Sequence, residues 1–281
     1  MRLIQSMENL ILPTKIEIKD GEMPNEGILT VEPCHHGYGT MLGNSLRRVL
    51  LSSLAGAAVS AVKIKGIQHE FSTIPNVKED VLEIILNLKL LRLKVYSEET
   101  VRLKLNAKGI KEVTAKDISL SSDVEIANPD LHIATLTSKD AELDMEIFVN
   151  NGRGYSPTEE REKIGAEIGV IAIDALYNPV RNVGLKVEPV RLGQITNYDK
   201  LILTMETDGT ISSAEALVQS VKIILDHYNL LSGALGARAA EEEGKRNAMK
   251  EKAREKLEKK EKKEKKAKEA TKPKAKKAKK R

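Results

Sequence analysis

The sequence has no tryptophan, and its aromatic content is 3% over 281 residues. Ring platforms for stacking single-stranded nucleic acid are therefore not expected. A single cysteine, Cys34, excludes an internal disulfide and fits a reducing, cytoplasmic compartment. Long apolar runs are missing. The longest, around Val170 to Leu176, is interrupted by Asp174 and is too short to span a bilayer, so no membrane association is expected. The N-terminal MRLIQSMENLILPTK has neither a long apolar core nor a small-residue cleavage site, so no signal peptide is expected.

Catalytic motifs are also sparse. Gly37, Gly39 and Gly43 give GxGxxxG before a helix, one residue off the dinucleotide fingerprint, and no Lys-Ser or Lys-Thr follows to make a P-loop. Close backbone approach at a helix start is the better use for these glycines. Cys34-His35-His36 has the residue types of a metal site, but adjacent residues cannot easily complete a tetrahedron and no CxxC or HxxxH partner exists. An exposed loop is the expectation there. His69, His132 and His227 stand singly and read as ordinary histidines. No Ser-His-Asp or Cys-His spacing marks a nucleophile, and no DxD cluster marks catalytic magnesium. Catalytic residues: none; metal: none.

Charge is unevenly placed. The net charge is +5, yet Glu241 to Arg281 holds 20 Lys or Arg against 9 Asp or Glu, leaving 26 against 32 in the first 240 residues. The body is mildly acidic and the basicity is confined to a tail. That tail has one Leu, one Met and no aromatic residue, too little apolar area to offset chain entropy. It reads as disordered, or as a solvated helix over Glu251 to Lys268 supported by Glu-to-Lys spacings of three and four. Two uses stay open: a solubilising extension, or a non-specific DNA tether acting by phosphate attraction.

What is present is a mixture of strands and helices. Lys15 to Lys19, Ala61 to Lys65, Val101 to Leu105 and Ala141 to Ile147 alternate with period two, as antiparallel strands with one wet face do. Further strands are expected at Gly184 to Val190 and Leu201 to Thr207, then a turn at Asp208-Gly209. A helix is expected from about Thr40, its N-cap, to Ser53, with Leu42, Leu46, Val49 and Leu50 as its stripe. Asn76 is the expected cap, and Glu79 the N3 residue, of a helix from about Val77 to Leu91. Ser156-Pro157-Thr158-Glu159 reads as the start of a helix carrying Ile164, Ile168, Ile171 and Leu176. Ser212 to Glu215 is another capping box, opening a helix to about Leu231. This helix is apolar along two lines, Leu217, Val221, Ile224 and Tyr228 beside Ala214, Val218 and Leu225. It is either a central core helix or one shared between its own sheet and a partner.

Four segments, GYGTMLGNSLRRVLLSS (Gly37 to Ser53), GIQHEFSTIPNVKEDVLEIILNLK (Gly66 to Lys89), GRGYSP (Gly152 to Pro157) and ETDGTISSAEALVQSVKIILDHY (Glu206 to Tyr228), resemble in order the signatures of the bacterial RNA polymerase alpha-subunit family. The resemblance covers roughly residues 1 to 235. It implies an α+β fold: a discontinuous dimerisation domain (1–54 and 178–235) interrupted by an inserted, mainly β domain (55–177), then the basic tail (236–281). It implies a homodimeric scaffold for DNA-templated transcription, without catalytic residues or cofactor of its own, catalytic magnesium belonging to the large subunits. The implied partners are a second copy, the beta and beta-prime subunits, and omega and sigma in the holoenzyme, with DNA met through the complex.

Residue by residue, the resemblance assigns beta contact to Arg48 and Leu51, with Arg47 beside them, and beta-prime contact to Lys89 and Ile173. The dimer interface is assigned to Leu42, Leu46, Val49 and Leu50, and to Leu217, Val218, Val221, Ile224, Leu225 and Tyr228. The planar five-donor head of Arg48 suits a desolvated pairing with a partner's carboxylates or carbonyls; an ion pair inside the chain is the alternative. For Lys89 the alternative is a solvated helix end. Nothing after Arg238 has the composition of the small folded C-terminal domain usual in the family, so readout of upstream promoter DNA by such a domain is not expected.

Overall fold

The computed structural model describes residues 10–160, 169–192, 195–236 and 238. It is a mixed α+β fold in which strands dominate. A four-stranded antiparallel sheet carries, in spatial order, Lys15–Asp20, Glu26–Cys34, Ile195–Thr207 and Val180–Leu192. The period-two reading holds: Ile16 lies opposite Val31 and Ile18 opposite Leu29, so apolar residues fall in rows on one face. The last two strands form a hairpin; Val180–Leu192 is longer at both ends than the expected segment, and Ile195–Thr207 starts earlier but ends at Thr207 as expected.

Helix α1 (Tyr38–Ser52) lies against this sheet through Gly39, Gly43, Leu46 and Leu50, at helical spacing. A Cβ on Gly43 would run into the δ-methyls of Leu185 and Leu201, so the missing side chain lets the helix sit down on the strands. A second helix, over 213–236, covers the same core with Ala216, Leu217 and Ser220. The core they share contains Leu29, Val31, Leu46, Leu50, Leu54, Leu201, Leu203 and Met205. Leu50 and Leu54 are fully buried; each such leucine is worth about 1.5–3 kcal/mol. The capping box at the second helix is made as expected: Glu215 N donates to Ser212 Oγ (3.2 Å), and Ser212 N to Glu215 Oε2 (3.3 Å).

The larger core is built on a seven-stranded sheet. Its order is Ile118–Ser119, Val101–Lys108, Glu142–Arg153, Ala55–Ile64, Leu93–Val95 and Val124–Ile126, with Val170–Ala172 also pairing with Ala55–Ile64. Helix α2 (Val81–Lys89) closes it with Val81, Ile84, Ile85 and Leu88. The chain enters and leaves this core side by side. Gly56 lies so close to the Tyr177 carbonyl that a Cβ there would collide with it, and Ala58, Ala175 and Tyr177 pack together at the same place.

Several expectations are corrected. Helix α1 starts at Tyr38, not Thr40; its N-cap is Gly37 at φ 83°, without a side-chain cap. Helix α2 starts at Val81. Asp80 caps it, accepting from Glu83 N at 2.7 Å. Asn76 instead adopts a left-handed conformation, φ 61°, and the Glu79 carboxylate is taken up by Thr135 and His132. Ser156 opens no long helix among the described residues. A 3-10 turn spans Thr158–Glu160, and Ile171 and Leu176 lie in short strands because their apolar partners are strand residues, Val62 and Tyr155. Ile164, Ile168 and the Glu251 to Lys268 helix lie outside the described residues. Cys34 is not in an exposed loop: it ends a strand, 1% exposed, its Sγ 3.7 Å from Val31 O. Burial, and after it the nearby Asp199 carboxylate, pushes its thiol pKa up.

Candidate subunit interfaces

Helix α1 is held at its start by a carboxylate distant in sequence. Asp199 Oδ2, from the strand Ile195–Thr207, accepts from Gly37 N at 2.8 Å and from Gly39 N at 3.3 Å. The anion satisfies two free N–H groups and faces the positive end of the helix dipole. His36 Nδ1 stands 3.6 Å from Asp199 Oδ1. This fixes the outward face of α1, where Arg47 and Arg48 are exposed and Leu51 is 37% exposed. Met41, Asn44, Arg48 and Leu51 share one side by their spacing. Neither arginine has an ion-pair partner among the described residues.

The residues assigned to a dimer interface divide into two groups. Leu46, Leu50 and Leu217 are buried in the chain's own core. Leu42 and Ile224 are partly buried against it, and Val49 is half-buried. Four remain bare: Val218 (67% exposed), Val221 (42%), Leu225 (51%) and Tyr228 (58%). Val218 and Val221 are one turn apart, and so, in the second compact unit that begins at Leu225, are Leu225 and Tyr228. Of the two lines expected from the sequence, Leu217, Val221, Ile224 and Tyr228 mix both groups, while Ala214, Val218 and Leu225 are all exposed, because a stripe pattern alone does not say which side meets the chain's own sheet.

Lys89 ends α2, and its Nζ lies 3.3 Å from Asp174 Oδ2, each side chain about one-third exposed. Asp174 Oδ1 accepts from Thr158 N at 3.1 Å. That backbone bond, and to a lesser degree Lys89, holds the Asp174 carboxyl below its usual range against the opposing effect of burial. Ile173 is 2% exposed and packs in the larger core. It lies beneath the spot where Lys89 and Asp174 surface. Sequence reading missed Asp174, and it missed Leu82, Leu86 and Leu90, exposed alongside Lys89. Their i, i+4, i+8 spacing was the available signal.

Among the described residues no group of three or more His, Cys, Asp or Glu is arranged to hold a metal ion. Nor is any helix among them long and apolar enough to cross a membrane.

An α+β chain with bare helix faces beside two filled cores has the character of an assembly subunit. Residues 62–178 match the family described as the RNA polymerase Rpb3/RpoA insert domain. The protein named DNA-directed RNA polymerase subunit alpha in Desulforamulus reducens is 54% identical over 220 residues, 78% of this chain and 70% of that protein. Its namesake in Oceanobacillus iheyensis is 51% identical over the same shares, and that of Alkaliphilus oremlandii is 51% identical over 217 residues, 77% of this chain and 68% of the relative. The chain belongs to the family of DNA-directed RNA polymerase alpha subunits, components of a nucleotidyltransferase complex.

Proposed function

We propose that this chain is the homodimeric scaffold on which the beta and beta-prime subunits of a DNA-directed RNA polymerase assemble. The observation that carries the reading is the helix over 213–236. One side fills the chain's own core, while Val218, Val221, Leu225 and Tyr228 stay in water. An apolar stripe of this kind needs a cover, and a twofold dimer provides the same stripe on both sides. The dimerisation domain in this reading is 1–54 with 178–235, and 55–177 is the insert.

Arg48, with Arg47 and Leu51, faces beta. Lys89 and Asp174 face beta-prime together with Leu82 and Leu86, and Ile173 supports them from beneath. The chain supplies no catalytic group or cofactor; catalytic magnesium belongs to the large subunits. Omega and sigma join in the holoenzyme, in the cytoplasm.

Reconstitution tests this. Sedimentation of the chain alone at micromolar concentration should give about twice 31.0 kDa. Adding beta and then beta-prime should give a stoichiometric complex. Arg48→Ala should leave the dimer intact and weaken beta recruitment by about 2 kcal/mol. A monomer at that concentration, or no complex with the large subunits, overturns the reading.

A further inference from the structure

Three elements of the larger core meet at one imidazole. His132 begins the strand His132–Leu136. Its Nε2 is 3.0 Å from Glu79 Oε1, in the segment entering α2. Its Nδ1 is 3.1 Å from Glu112 Oε1, on the strand Lys111–Thr114. Carboxylates only accept, and a neutral imidazole has one N–H, so both bonds together require the imidazolium.

We propose that Glu79, His132 and Glu112 form a proton-operated clamp: protonated His132 ties the segment entering α2 to the strand Lys111–Thr114, and the neutral ring releases Glu112. The two arms are unequal. Glu79 has an 11% exposed side chain, and it also accepts from Thr135 N (2.6 Å) and Thr135 Oγ1 (2.9 Å). Burial alone would raise its carboxyl pKa; Thr135 and His132 together outweigh that and hold it below the usual carboxylate range. The side chain of Glu112 is 68% exposed. When the ring loses its proton, Nε2–H keeps Glu79. The Nδ1 lone pair then opposes the Glu112 carboxylate, which turns to water.

Other charges on the packed elements are engaged elsewhere or point away. Lys111 pairs with Asp117 and Lys116 with Asp130; Lys78 and Asp80 flank Glu79, and both are exposed. Among the described residues the polar contacts of the ring are the two carboxylates alone. Release of Glu112 is felt on its own strand, Lys111–Thr114, because the entering segment keeps its other bonds to His132–Leu136 in either state of the ring. Those other bonds include Lys78 N to Thr135 O (3.0 Å) and the bridge between Val77 and Leu136. The inference stands on the chain alone and does not depend on the polymerase reading.

The test uses the full chain above about pH 5, where carboxylates stay ionised. Imidazole NMR, assigned with His132→Gln, follows the ring, and amide exchange corrected for its intrinsic pH dependence follows residues 111–114, the strand that carries Glu112. Protection of these amides should fall about five-fold as the ring deprotonates, the loss of one hydrogen bond of ordinary net strength. Glu112→Gln, on an exposed side chain, should fold normally and show no such step. Protection unchanged across the ring's titration, or a full step persisting in Glu112→Gln, overturns the proposal.

Discussion

Lys89 Nζ and Asp174 Oδ2 stand 3.3 Å apart although 85 positions separate them in the chain. The pair joins the last turn of α2 to the loop after Val170–Ala172 and brings Lys89 beside Ile173. Because both side chains are about one-third exposed, the pair itself adds little stability. Lys89→Ala should lower the urea-derived stability by less than about 1 kcal/mol and weaken beta-prime recruitment much more. Equal losses in both measurements would return Lys89 to a structural role.

The same pair has a pH consequence. The folded pKa of Asp174 is depressed, chiefly by the Thr158 N–H and then by Lys89. Its contribution is therefore present above the ordinary aspartate value of about 3.9 and is lost as pH falls through the lower folded value. The stability gap between the wild type and Asp174→Asn should close below about pH 4. A gap that widens with acid would show the sign to be wrong.

Asp199 is the most informative residue that the sequence reading did not find. Asp199→Ala removes the acceptor for Gly37 N and Gly39 N, and should cost about 1–2 kcal/mol in urea denaturation. Asp199→Asn keeps an acceptor oxygen and should cost less. A cap from 160 residues away leaves no local trace. Local caps were legible where both partners lay within one turn, as with Ser212 and Glu215. They misled where a distant group won the side chain: Glu79 has the right spacing for a capping box, yet Thr135 and His132 hold it and Asp80 does the capping. Period-two strands were legible in Val101–Lys108, where buried and exposed residues alternate, and less so in Ala55–Ile64, where Ala58 to Val62 are buried on both faces. Ile171 and Leu176 were misread as helical, since isolated apolar residues three to five apart fit either period once strands are very short. Arg48, Lys89 and Ile173 came from resemblance to a family, and physical pattern alone would have singled out only the arginine.

The bare stripe makes a sharp prediction. Val218→Asp combined with Val221→Asp should give a monomer of unchanged helix content by circular dichroism, because neither side chain belongs to the core. Leu50→Ala should behave oppositely, costing about 2–5 kcal/mol of stability through a cavity in the chain's own core. A double mutant that still sediments as a dimer would send the search for the interface to another face.

The basic tail lies outside the described residues, and its role is open to a direct experiment. Deleting Glu241 to Arg281 should leave dimerisation and assembly with the large subunits unchanged. If the tail tethers DNA, the truncated polymerase should bind all promoters more weakly by a similar factor, with a shallower salt dependence. The difference should fade as the Debye length contracts from ~30 Å at 0.01 M salt to ~8 Å at physiological strength. Weakening on one upstream sequence only would mean specific readout; no weakening anywhere would leave a solubilising extension.

The close approach of Gly56 to the Tyr177 carbonyl means that the larger core hangs from the smaller by two neighbouring strands of chain. To the four-stranded sheet, the whole excursion is only moderately more demanding than a short loop, because closure entropy grows with the logarithm of the number of residues enclosed. Such an architecture separates two histories. The larger core can be lengthened, trimmed or exchanged over generations, while the strands and helices that hold α1 keep their threading.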